Sequence, residues 1–429
     1  MAALLTIGLV VYYFTVLRRR ARAGATLSFL LWLEYLLLGI AGIFIAATDV
    51  LKPVFEPNYY STAFLLLCLL ISISGFLAFR CDDLAQVIRT VRWQRTIENF
   101  LIVTQTLAIG FFLPFAISAM TGDTSENRLQ LDEKIELLAS FGYINTAAGA
   151  ASQLFSSSLV MGFIRLSQKP HQGRSVVRAA VLIACSLSYV VYILAYVGRD
   201  GVVYWLMTAA MIYIIFHRHL SSIDRTRILA AGLGVMSVLC IPFALITISR
   251  FIGTDIGSAW SVLEYFGAQI HHFSDYSSID RPLTFGIQSF PTFFGAGCAI
   301  SGLGCESWLD IKEVIFAIYL NQGKEPWLFG TFVSDFVGDF GTIGALALIA
   351  MLAMLCHIAC ARRNKAKRLT LGRLLVILFM FLVPYWGVFY FRFSIANSFI
   401  LTNILFILSV TLLQQFDSAN NKLSLAKAP

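Results

Sequence analysis

Four arginines lie near the ends of apolar segments or in a long segment between two of them, where guanidinium groups could bind phosphate. Arg199 joins two apolar segments with almost no loop, Arg250 ends another, and Arg392 lies in a tight link between the last two. Arg281 lies in a long segment between apolar stretches. A guanidinium group is planar, stays charged and binds phosphate through two parallel hydrogen bonds. Several together suit a phosphate-bearing ligand, although interfacial anchoring or a local Arg199–Asp200 pair would also explain them.

The cysteines predict one disulfide and no metal site. Most of the eight lie in apolar segments, where a thiol is a small apolar side chain. Cys298 and Cys305 differ, because they flank a short glycine-containing stretch, CAISGLGC, that a disulfide could close in an oxidising compartment. Two unpaired thiols are the alternative. No cysteine or histidine spacing fits zinc, and the sequence has neither a Walker loop nor a Gly-x-Ser-x-Gly motif.

The composition is that of a membrane protein. The 429 residues are 58% hydrophobic and 13% charged, with a mean hydropathy of +0.77, whereas soluble domains are nearer half apolar and a quarter charged. This composition excludes a disordered chain, a nucleic-acid-binding protein and an ordinary cytosolic enzyme. The net charge of +8 therefore indicates basic residues on one side of a bilayer.

The apolar segments predict an all-α fold. About 20 mostly apolar residues form a helix that crosses a bilayer. No internal repeat or soluble domain is visible, so residues 1–429 are predicted to form a single integral-membrane domain with one large outer loop carrying short helices. The eleven predicted spans are residues 2–17, 27–47, 61–79, 99–120, 143–165, 179–198, 201–216, 228–248, 338–360, 374–391 and 396–414.

The distribution of basic residues predicts the orientation of these spans. With the N-terminus outside and the C-terminus in the cytoplasm, 23 of the 32 lysines and arginines fall on the cytoplasmic side and nine on the outer side. Short cytoplasmic loops of membrane proteins carry such an excess of positive charge. The acidic residues run the other way, but they carry little weight in this rule.

One outer loop, at about 249–337, is much longer than the rest. It contains several prolines, a glycine-rich stretch and three tryptophans. Long loops in compact proteins are usually functional. Residues 308–320 within it predict a short helix lying at the membrane interface, and residues 81–95 predict a similar helix on the inner side.

Glu34 is a carboxylate in the middle of a predicted span. Ionisable groups at membrane depth are costly and are therefore candidates for function. Glu34 suits a proton-relay or substrate-binding group, and it equally suits a structural carboxyl bonded to a neighbouring helix.

The end of the long loop resembles a known family. Residues 321–347, NQGKEPWLFGTFVSDFVGDFGTIGALA, contain acidic residues followed by Phe-Gly and a small residue at the entry to a helix. This pattern resembles the oligosaccharide repeat-unit polymerases, the Wzy or O-antigen polymerase family. Residues 198–201, Gly-Arg-Asp-Gly, resemble the family's arginine-bearing entry to a mid-chain helix, although the family more often has a small residue where Asp200 stands. The span number, the large outer loop and the length also agree.

The resemblance implies a membrane glycosyltransferase of the GT-C type. Such an enzyme would lie in the bacterial inner membrane and work at its periplasmic face. It would transfer a growing glycan from one undecaprenyl-diphosphate carrier to the non-reducing sugar of a repeat unit on another. The resemblance implies no nucleotide sugar, no metal and no other cofactor. The implied partners are lipid-linked oligosaccharides, membrane lipids and a chain-length regulator, with no nucleic acid.

The resemblance also gives the candidate residues their roles. Departure of the lipid diphosphate builds negative charge that preorganised arginines can stabilise. The acceptor hydroxyl needs a carboxylate or imidazole to take its proton. Two aspartates four residues apart would share one helix face if the helix begins early enough; capping of a helix start is their structural alternative. The predicted diphosphate ligands are Arg199, Arg250, Arg281 and Arg392, and the candidate bases are Asp335, Asp339 and His272, with His271 and Glu264 as alternatives.

Two other functions compete with the polymerase. An O-antigen ligase would show a histidine shortly before a Gly-x-x-Gly in the large loop, and none follows His271 and His272 at close spacing. A lipid-linked oligosaccharide flippase or other transporter would favour charges inside the spans, internal repeats and broken helices. The spans here are poor in charge, and the complex segment lies outside them.

Overall fold

The computed structural model is helical throughout the residues that it describes. These are residues 1–22, 25–47, 58–91, 93–121, 137–138, 140–168, 173–196, 198, 200–251, 267–291, 293–294, 308–323, 330–361, 369–394 and 397–426. Helix makes up 85% of the structure, and these ranges contain no strand. The predicted all-α class is therefore confirmed.

The helices follow one another along the chain, and short turns of other helical types lie between or beside some of them. A π-helical turn, Tyr13–Leu17, joins the first two into one continuous helix, and short 3-10 turns occur at Cys81–Asp83, His217–His219 and Arg392–Ser394. The α-helices are α1 (Ala2–Tyr12), α2 (Arg18–Arg22), α3 (Thr26–Ala47), α4 (Tyr59–Gly75), α5 (Leu84–Thr90), α6 (Gln94–Thr121), α7 (Tyr143–Ser152), α8 (Phe155–Ser167), α9 (Gly173–Cys185), α10 (Ser188–Ala195), α11 (Asp200–Phe216), α12 (Ser222–Phe251), α13 (Gln269–Ser278), α14 (Trp308–Asn321), α15 (Phe332–Cys360), α16 (Leu371–Trp386) and α17 (Asn397–Ala426).

Eight helical segments in the described part of the chain are long and apolar enough to cross a membrane. Two further apolar helices, α4 and α16, are shorter. Together these ten correspond to ten of the predicted spans, and the eleventh, 228–248, lies within α12, where side chains are described only as far as residue 238. The number eleven stays a prediction. The eight segments are Ala2–Arg20, Thr26–Ala47, Gln94–Met120, Tyr143–Ser167, Val176–Ala195, Asp200–His219, Phe332–Cys360 and Ser398–Gln415.

Two predicted spans are each built from two helices. The segment 143–165 is divided into α7 and α8 by a turn that includes Gln153. At this turn the Gln153 carbonyl accepts a hydrogen bond from the Asn403 side chain at 3.2 Å. Because a bilayer offers no water to backbone groups, such a partner makes the break tolerable. The segment 179–198 is likewise divided into α9 and α10, by a turn at Ser186.

The helix that follows the long outer loop begins earlier than predicted. α15 starts at Phe332 rather than at 338, and it is broken at Gly341. The apolar run that hydropathy detects lies mostly after this break, whereas the residues before it include two aspartates. The expected short helix at 308–320 is confirmed as α14.

The described contacts divide the chain into two compact units. The first comprises Met1–Arg80, Ile256–Lys365 and Ile377–Ile400. In it α4 packs closely on α15, because a Cβ at Gly75 would lie only 3.0 Å from the Ala353 Cα. Small residues at such crossings let membrane helices approach each other closely.

Polar side chains link the spans within this first unit. The Trp32 indole donates to the Leu9 carbonyl at 2.8 Å, and the Tyr35 hydroxyl donates to the Pro384 carbonyl at 2.7 Å. These bonds satisfy polar groups that a bilayer would otherwise leave without partners.

The second unit comprises Cys81–Asp255, Ala366–Val376 and Leu401–Pro429. Here α6 packs against α7 and α10, and α8 packs against α9 and α11. The Ser158 hydroxyl donates to the Gln105 side chain at 2.8 Å, and both residues are buried. The single integral-membrane domain inferred over residues 1–429 stays a prediction.

Candidate functional site

α15 is broken two residues after Asp339. Gly341 has φ 69° and ψ 177°, a backbone conformation that other residues rarely adopt. Next to this break the Asp339 carbonyl accepts a hydrogen bond from the Phe285 N–H at 2.9 Å. This hydrogen bond therefore links the part of α15 before the break to Phe285 in the long loop.

The Asp339 carboxylate is fully buried and accepts four hydrogen bonds from the segment 284–289. The N–H groups of Gly286 and Gln288 donate to Oδ1, each at 3.1 Å, and the N–H of Ser289 donates to Oδ2 at 2.8 Å. The Thr284 hydroxyl donates to Oδ1 as well. Because these four donors occupy both carboxylate oxygens, Asp339 organises the turn.

The turn around Asp339 requires left-handed backbone. Phe285 has φ 48° and Gly286 has φ 98°, and a Cβ at Gly286 would lie 3.3 Å from the Phe340 ring. The turn is closed by the hydrogen bond from the Phe290 N–H to the Gly286 carbonyl at 2.8 Å. With its backbone fixed in this way, the turn holds the Gln288 side chain in one place.

The Gln288 side-chain amide lies between a carboxylate and a guanidinium group. Its nitrogen donates to Asp335 Oδ1 at 2.8 Å, and its oxygen accepts from Arg281 Nη1 at 3.3 Å. The orientation of the amide is set by its partners, since a carboxylate only accepts and a guanidinium only donates. We refer to Asp335, Asp339, Gln288 and Arg281 as the Asp335 cluster.

Asp335 lies in the first turn of α15 and is half-buried. Its second carboxylate oxygen accepts from the Phe391 N–H at 2.5 Å. The start of α15 is tied to the same segment, because the Thr331 N–H donates to the Phe389 carbonyl at 2.8 Å. Asp335 therefore lies where the end of the long loop meets the link between α16 and α17.

Arg281 is held from two sides. Its guanidinium lies directly on Gly338, where any Cβ would overlap it, and its charge lies over the Tyr319 ring at 5.5 Å from the ring centre. Burial raises the pKa of the Tyr319 hydroxyl; the Arg281 charge opposes this rise and the Asp335 charge adds to it. Gly338, the first glycine of the Gly-Asp-Phe-Gly sequence, therefore leaves the space that the Arg281 guanidinium occupies.

Arg392 is also brought to this region. It is buried, its Nη1 donates to the Tyr390 hydroxyl at 2.9 Å, and it directly follows Phe391, the backbone donor to Asp335. Two of the four predicted phosphate ligands, Arg281 and Arg392, therefore lie at or beside the Asp335 cluster.

Five of the candidate site residues are not described at side-chain level. Arg199, Glu264, Cys298 and Cys305 lie outside the described residues, so the disulfide stays a prediction. Arg250 lies in α12, but its side chain is not described.

His272 is not among the groups that bond to Asp335. It lies in α13, which packs on α3 and α4, and its imidazole is buried. Burial lowers the pKa of His272 to about 3, and the neighbouring His271 charge adds to this effect. His272 is therefore neutral at physiological pH. The His271 ring lies 3.4 Å from the Gly42 carbonyl.

Thr331, four residues before Asp335, has a strained backbone. Its φ of 76° and ψ of 165° are unusual for a β-branched residue. It is fully buried, and its hydroxyl has no hydrogen-bond partner within the described part of the chain. Strain of this kind clusters at functional sites.

Sequence reasoning missed the residues that connect this site. Thr284, Gln288 and Ser289 are the polar positions of an otherwise apolar stretch, LTFGIQSF. That pattern is a weak signal, because only the folded chain brings Gln288 to Asp335, 47 residues away in sequence.

A second carboxylate–arginine cluster lies in the other unit, around Glu98. Glu98 is fully buried and pairs directly with two arginines: Arg165 Nε lies 2.7 Å from Oε1, and Arg178 Nε lies 2.5 Å from Oε2. The Gln94 amide adds a hydrogen bond to Oε1 at 2.9 Å, and Gln168 bonds to Gln94 at 2.8 Å. We refer to these five residues as the Glu98 cluster.

In the Asp335 cluster, the Gln288 amide bridges the half-buried Asp335 carboxylate and the Arg281 guanidinium. Within the described ranges, no group of three or more histidine, cysteine, aspartate or glutamate side chains is placed to hold a metal ion. No family model matches this chain, and neither a curated protein nor a solved structure matches it.

Proposed function

We propose that the chain is a membrane glycosyltransferase that polymerises undecaprenyl-diphosphate-linked oligosaccharide repeat units of O-antigen or a related surface polysaccharide. It transfers the growing glycan from its lipid diphosphate carrier to the non-reducing end of another lipid-linked unit. The reaction takes place at the periplasmic face of a bacterial inner membrane. The resemblance of residues 198–201 and 321–347 to the O-antigen polymerases supports this proposal.

The observation that carries the proposal is the Asp335 cluster itself. Asp335 lies in the first turn of an apolar helix long enough to cross a membrane, and Arg281 lies one amide away. Glycosyl transfer from a lipid diphosphate needs both kinds of group, a proton acceptor for the incoming hydroxyl and fixed positive charge for the departing anion.

The proposed reaction uses these groups in one step. The acceptor hydroxyl gives its proton to Asp335 while its oxygen forms a bond to the anomeric carbon of the donor sugar. The bond between that carbon and the diphosphate oxygen breaks, and its electrons stay on the leaving undecaprenyl diphosphate. Arg281 and Arg392 stabilise this leaving group, and Arg199 and Arg250 remain further proposed diphosphate ligands.

The geometry supports different roles for the candidate bases. Asp335 is the less buried residue of the two and accepts two hydrogen bonds, whereas Asp339 is fully buried and accepts four. We therefore assign proton transfer to Asp335 and positioning of the turn to Asp339. His272 is an alternative base only if the bound substrate reaches α13.

The proposed orientation, in which the N-terminus is periplasmic and the C-terminus cytoplasmic, rests on the distribution of lysines and arginines. Two hydrogen bonds agree with the alternation of the loops between two sides, because each joins segments assigned to the same side. The Thr331–Phe389 hydrogen bond joins the long outer loop to the outer end of the predicted span 374–391. The hydrogen bond from Gln168 to the Ile88 carbonyl, at 3.0 Å, joins two segments assigned to the cytoplasm.

The test is a deletion strain and its lipopolysaccharide ladder. Loss of a polymerase leaves core carrying a single repeat unit, whereas loss of a ligase or a flippase leaves uncapped core. Complementation by the wild-type gene should restore the ladder, and complementation by Asp335→Asn should not. Uncapped core in the deletion strain would contradict the polymerase.

Purified protein provides the direct measurement. Incubated with lipid-linked repeat units alone, the wild-type protein should produce longer lipid-linked chains without a nucleotide sugar or an added metal ion. A chain-length regulator is the protein partner we expect to narrow the length distribution of these products.

A further inference from the structure

Arg281 and Asp335 share a partner but do not pair. The described ion pairs include those of Glu98 with Arg165 and Arg178 and that of Asp82 with Arg218. Within the described ranges, no ion pair joins Arg281 to Asp335. Instead the Gln288 amide lies between them and bonds to both. An arginine and a carboxylate that share a hydrogen-bond partner could ordinarily form a direct, two-point pair.

The Glu98 cluster shows the consequence of direct pairing in the same protein. There both carboxylate oxygens receive guanidinium N–H groups, and Arg165 alone binds both of them, at 2.7 and 3.1 Å. A carboxylate engaged in this way is a poor proton acceptor, and an arginine engaged in this way is a poor ligand for an anion.

We propose that Gln288 is a positioning residue that holds Arg281 and Asp335 apart, so that Asp335 stays available to the acceptor hydroxyl and Arg281 to the diphosphate. This inference rests on the proposed function for the identity of the two substrates. The fold holds the spacer in place, because the Gln288 N–H is bonded to Asp339. On either side of the spacer, Arg281 lies on Gly338, and the Asp335 carboxylate is bonded to the Phe391 N–H.

The activity test asks whether Arg281→Gln changes kcat in opposite directions in the presence and in the absence of Gln288. Gln288→Ala opens the space between the charges, and the new ion pair should lower kcat roughly tenfold to a hundredfold, the range expected for a charge-assisted contact. Arg281→Gln alone should also lower activity. In the Gln288→Ala background, however, Arg281→Gln should raise kcat by a factor of about three or more, because it frees Asp335 again.

The binding test needs no polymerase activity. Inorganic diphosphate should raise the melting temperature of the wild-type protein in detergent, and Gln288→Ala should weaken its apparent affinity roughly tenfold or more. Adding Asp335→Asn to Gln288→Ala should restore the affinity, because the carboxylate that occupies Arg281 has lost its charge.

Two variants control for other effects. Gln288→Met keeps the length of the spacer without its hydrogen bonds, so it should retain more activity than Gln288→Ala. Gln322→Ala removes another glutamine of the same unit, whose side chain donates to the Asp280 carbonyl at 3.4 Å. This variant should leave both activity and binding unchanged.

The outcomes separate this inference from the proposed function. Restored diphosphate binding without polymerisation would support the spacer and contradict the polymerase. Polymerisation by the wild-type protein with simple additive losses in the double variants would contradict the spacer. Failure of inorganic diphosphate to shift the wild-type melting temperature would contradict it too, because Arg281 would then not be an available anion ligand.

Discussion

The Glu98 cluster and the Asp335 cluster contain the same kinds of side chain in opposite arrangements. Glu98 is fully buried and contacts two guanidinium groups directly, while the glutamines Gln94 and Gln168 lie outside the ion pairs. Asp335 is half-buried, and its glutamine lies between the carboxylate and the guanidinium. The order of the three groups, rather than their composition, distinguishes the clusters.

This difference separates a structural cluster from a candidate functional one. The Glu98 cluster connects α6 with α8 and α9, and its one carboxylate pairs directly with both guanidinium groups. In the half-buried Asp335 cluster, Arg281 and Asp335 form no direct ion pair, because the Gln288 amide lies between them. Unpaired charge in such a place is costly, so a protein that keeps it has a use for it.

The largest expected effect is the loss of activity in Asp335→Asn. A positioned general base contributes about a hundredfold to ten-thousandfold to the rate, so this variant should make almost no polymer. The ladder and the rate of the purified enzyme measure this loss, and the amount of protein in the membrane should not change. Asp280→Asn, an exposed acid of the same unit, is the control and should be fully active.

Glu98→Gln should instead damage stability. Removing one partner from a buried ion pair costs about 3–5 kcal/mol, because the remaining charges lose their compensation. The amount of folded protein after detergent extraction should fall, whereas the activity per folded molecule should stay near that of the wild type. If Glu98→Gln accumulated normally but were inactive, the division between the clusters would be wrong.

Asp339→Asn should produce an intermediate effect through the turn. The amide can replace one carboxylate oxygen but offers a donor where the Ser289 N–H needs an acceptor, at a cost of about 1–3 kcal/mol. The turn would loosen and Gln288 would lose its fixed position. We expect KM to rise and kcat to fall, with an activity well above that of Asp335→Asn. Equal losses in the two variants would argue that both aspartates transfer protons.

The arginine series should lower activity by smaller factors. Arg281→Ala and Arg392→Ala each remove a charge-assisted contact worth about 1.5–3 kcal/mol, and Arg281→Lys should shorten the ladder because it loses the planar two-point contact. Arg199→Ala and Arg250→Ala test the two predicted ligands in the same way. Arg128→Ala, in a different predicted outer loop, is the control, and equal damage there would contradict the proposed diphosphate site.

The smallest expected effect is a gain in stability in Thr331→Gly. Glycine relieves the left-handed backbone at this position, a strain of about 1–3 kcal/mol, and loses about 0.5–1 kcal/mol of that to its greater flexibility. Thermal unfolding of the purified protein should shift to a slightly higher temperature. Thr331→Ala keeps the strain and should show no such gain; if it melts as high as Thr331→Gly, the strain is not the cause.

The sequence was sufficient for the spans and for part of the site. The span predicted at 27–47 is observed as α3, Thr26–Ala47, because a long apolar segment meets its own backbone hydrogen bonds and needs no distant partner. The aspartate pair could also be predicted, since two residues four apart share a helix face whatever that helix packs against.

The start of α15 could not be predicted from hydropathy. The residues before Gly341 include Asp335 and Asp339, which apolar burial alone would exclude from a span. They are helical because distant groups bind them: the turn at 284–289 supplies four donors to Asp339, and the Phe391 N–H binds Asp335.

Sequence alone therefore determined the all-helical fold, the positions of most apolar helices that could span a membrane, and the acidic and basic residue types of the candidate site. These follow from local periodicity, composition and side-chain chemistry. Only the tertiary structure decided which aspartate accepts four hydrogen bonds and which is less buried. It also decided that Gln288 lies between Asp335 and Arg281. Those properties depend on contacts between segments about 50 residues apart, and the free energy of such contacts is set by the packing of the whole unit.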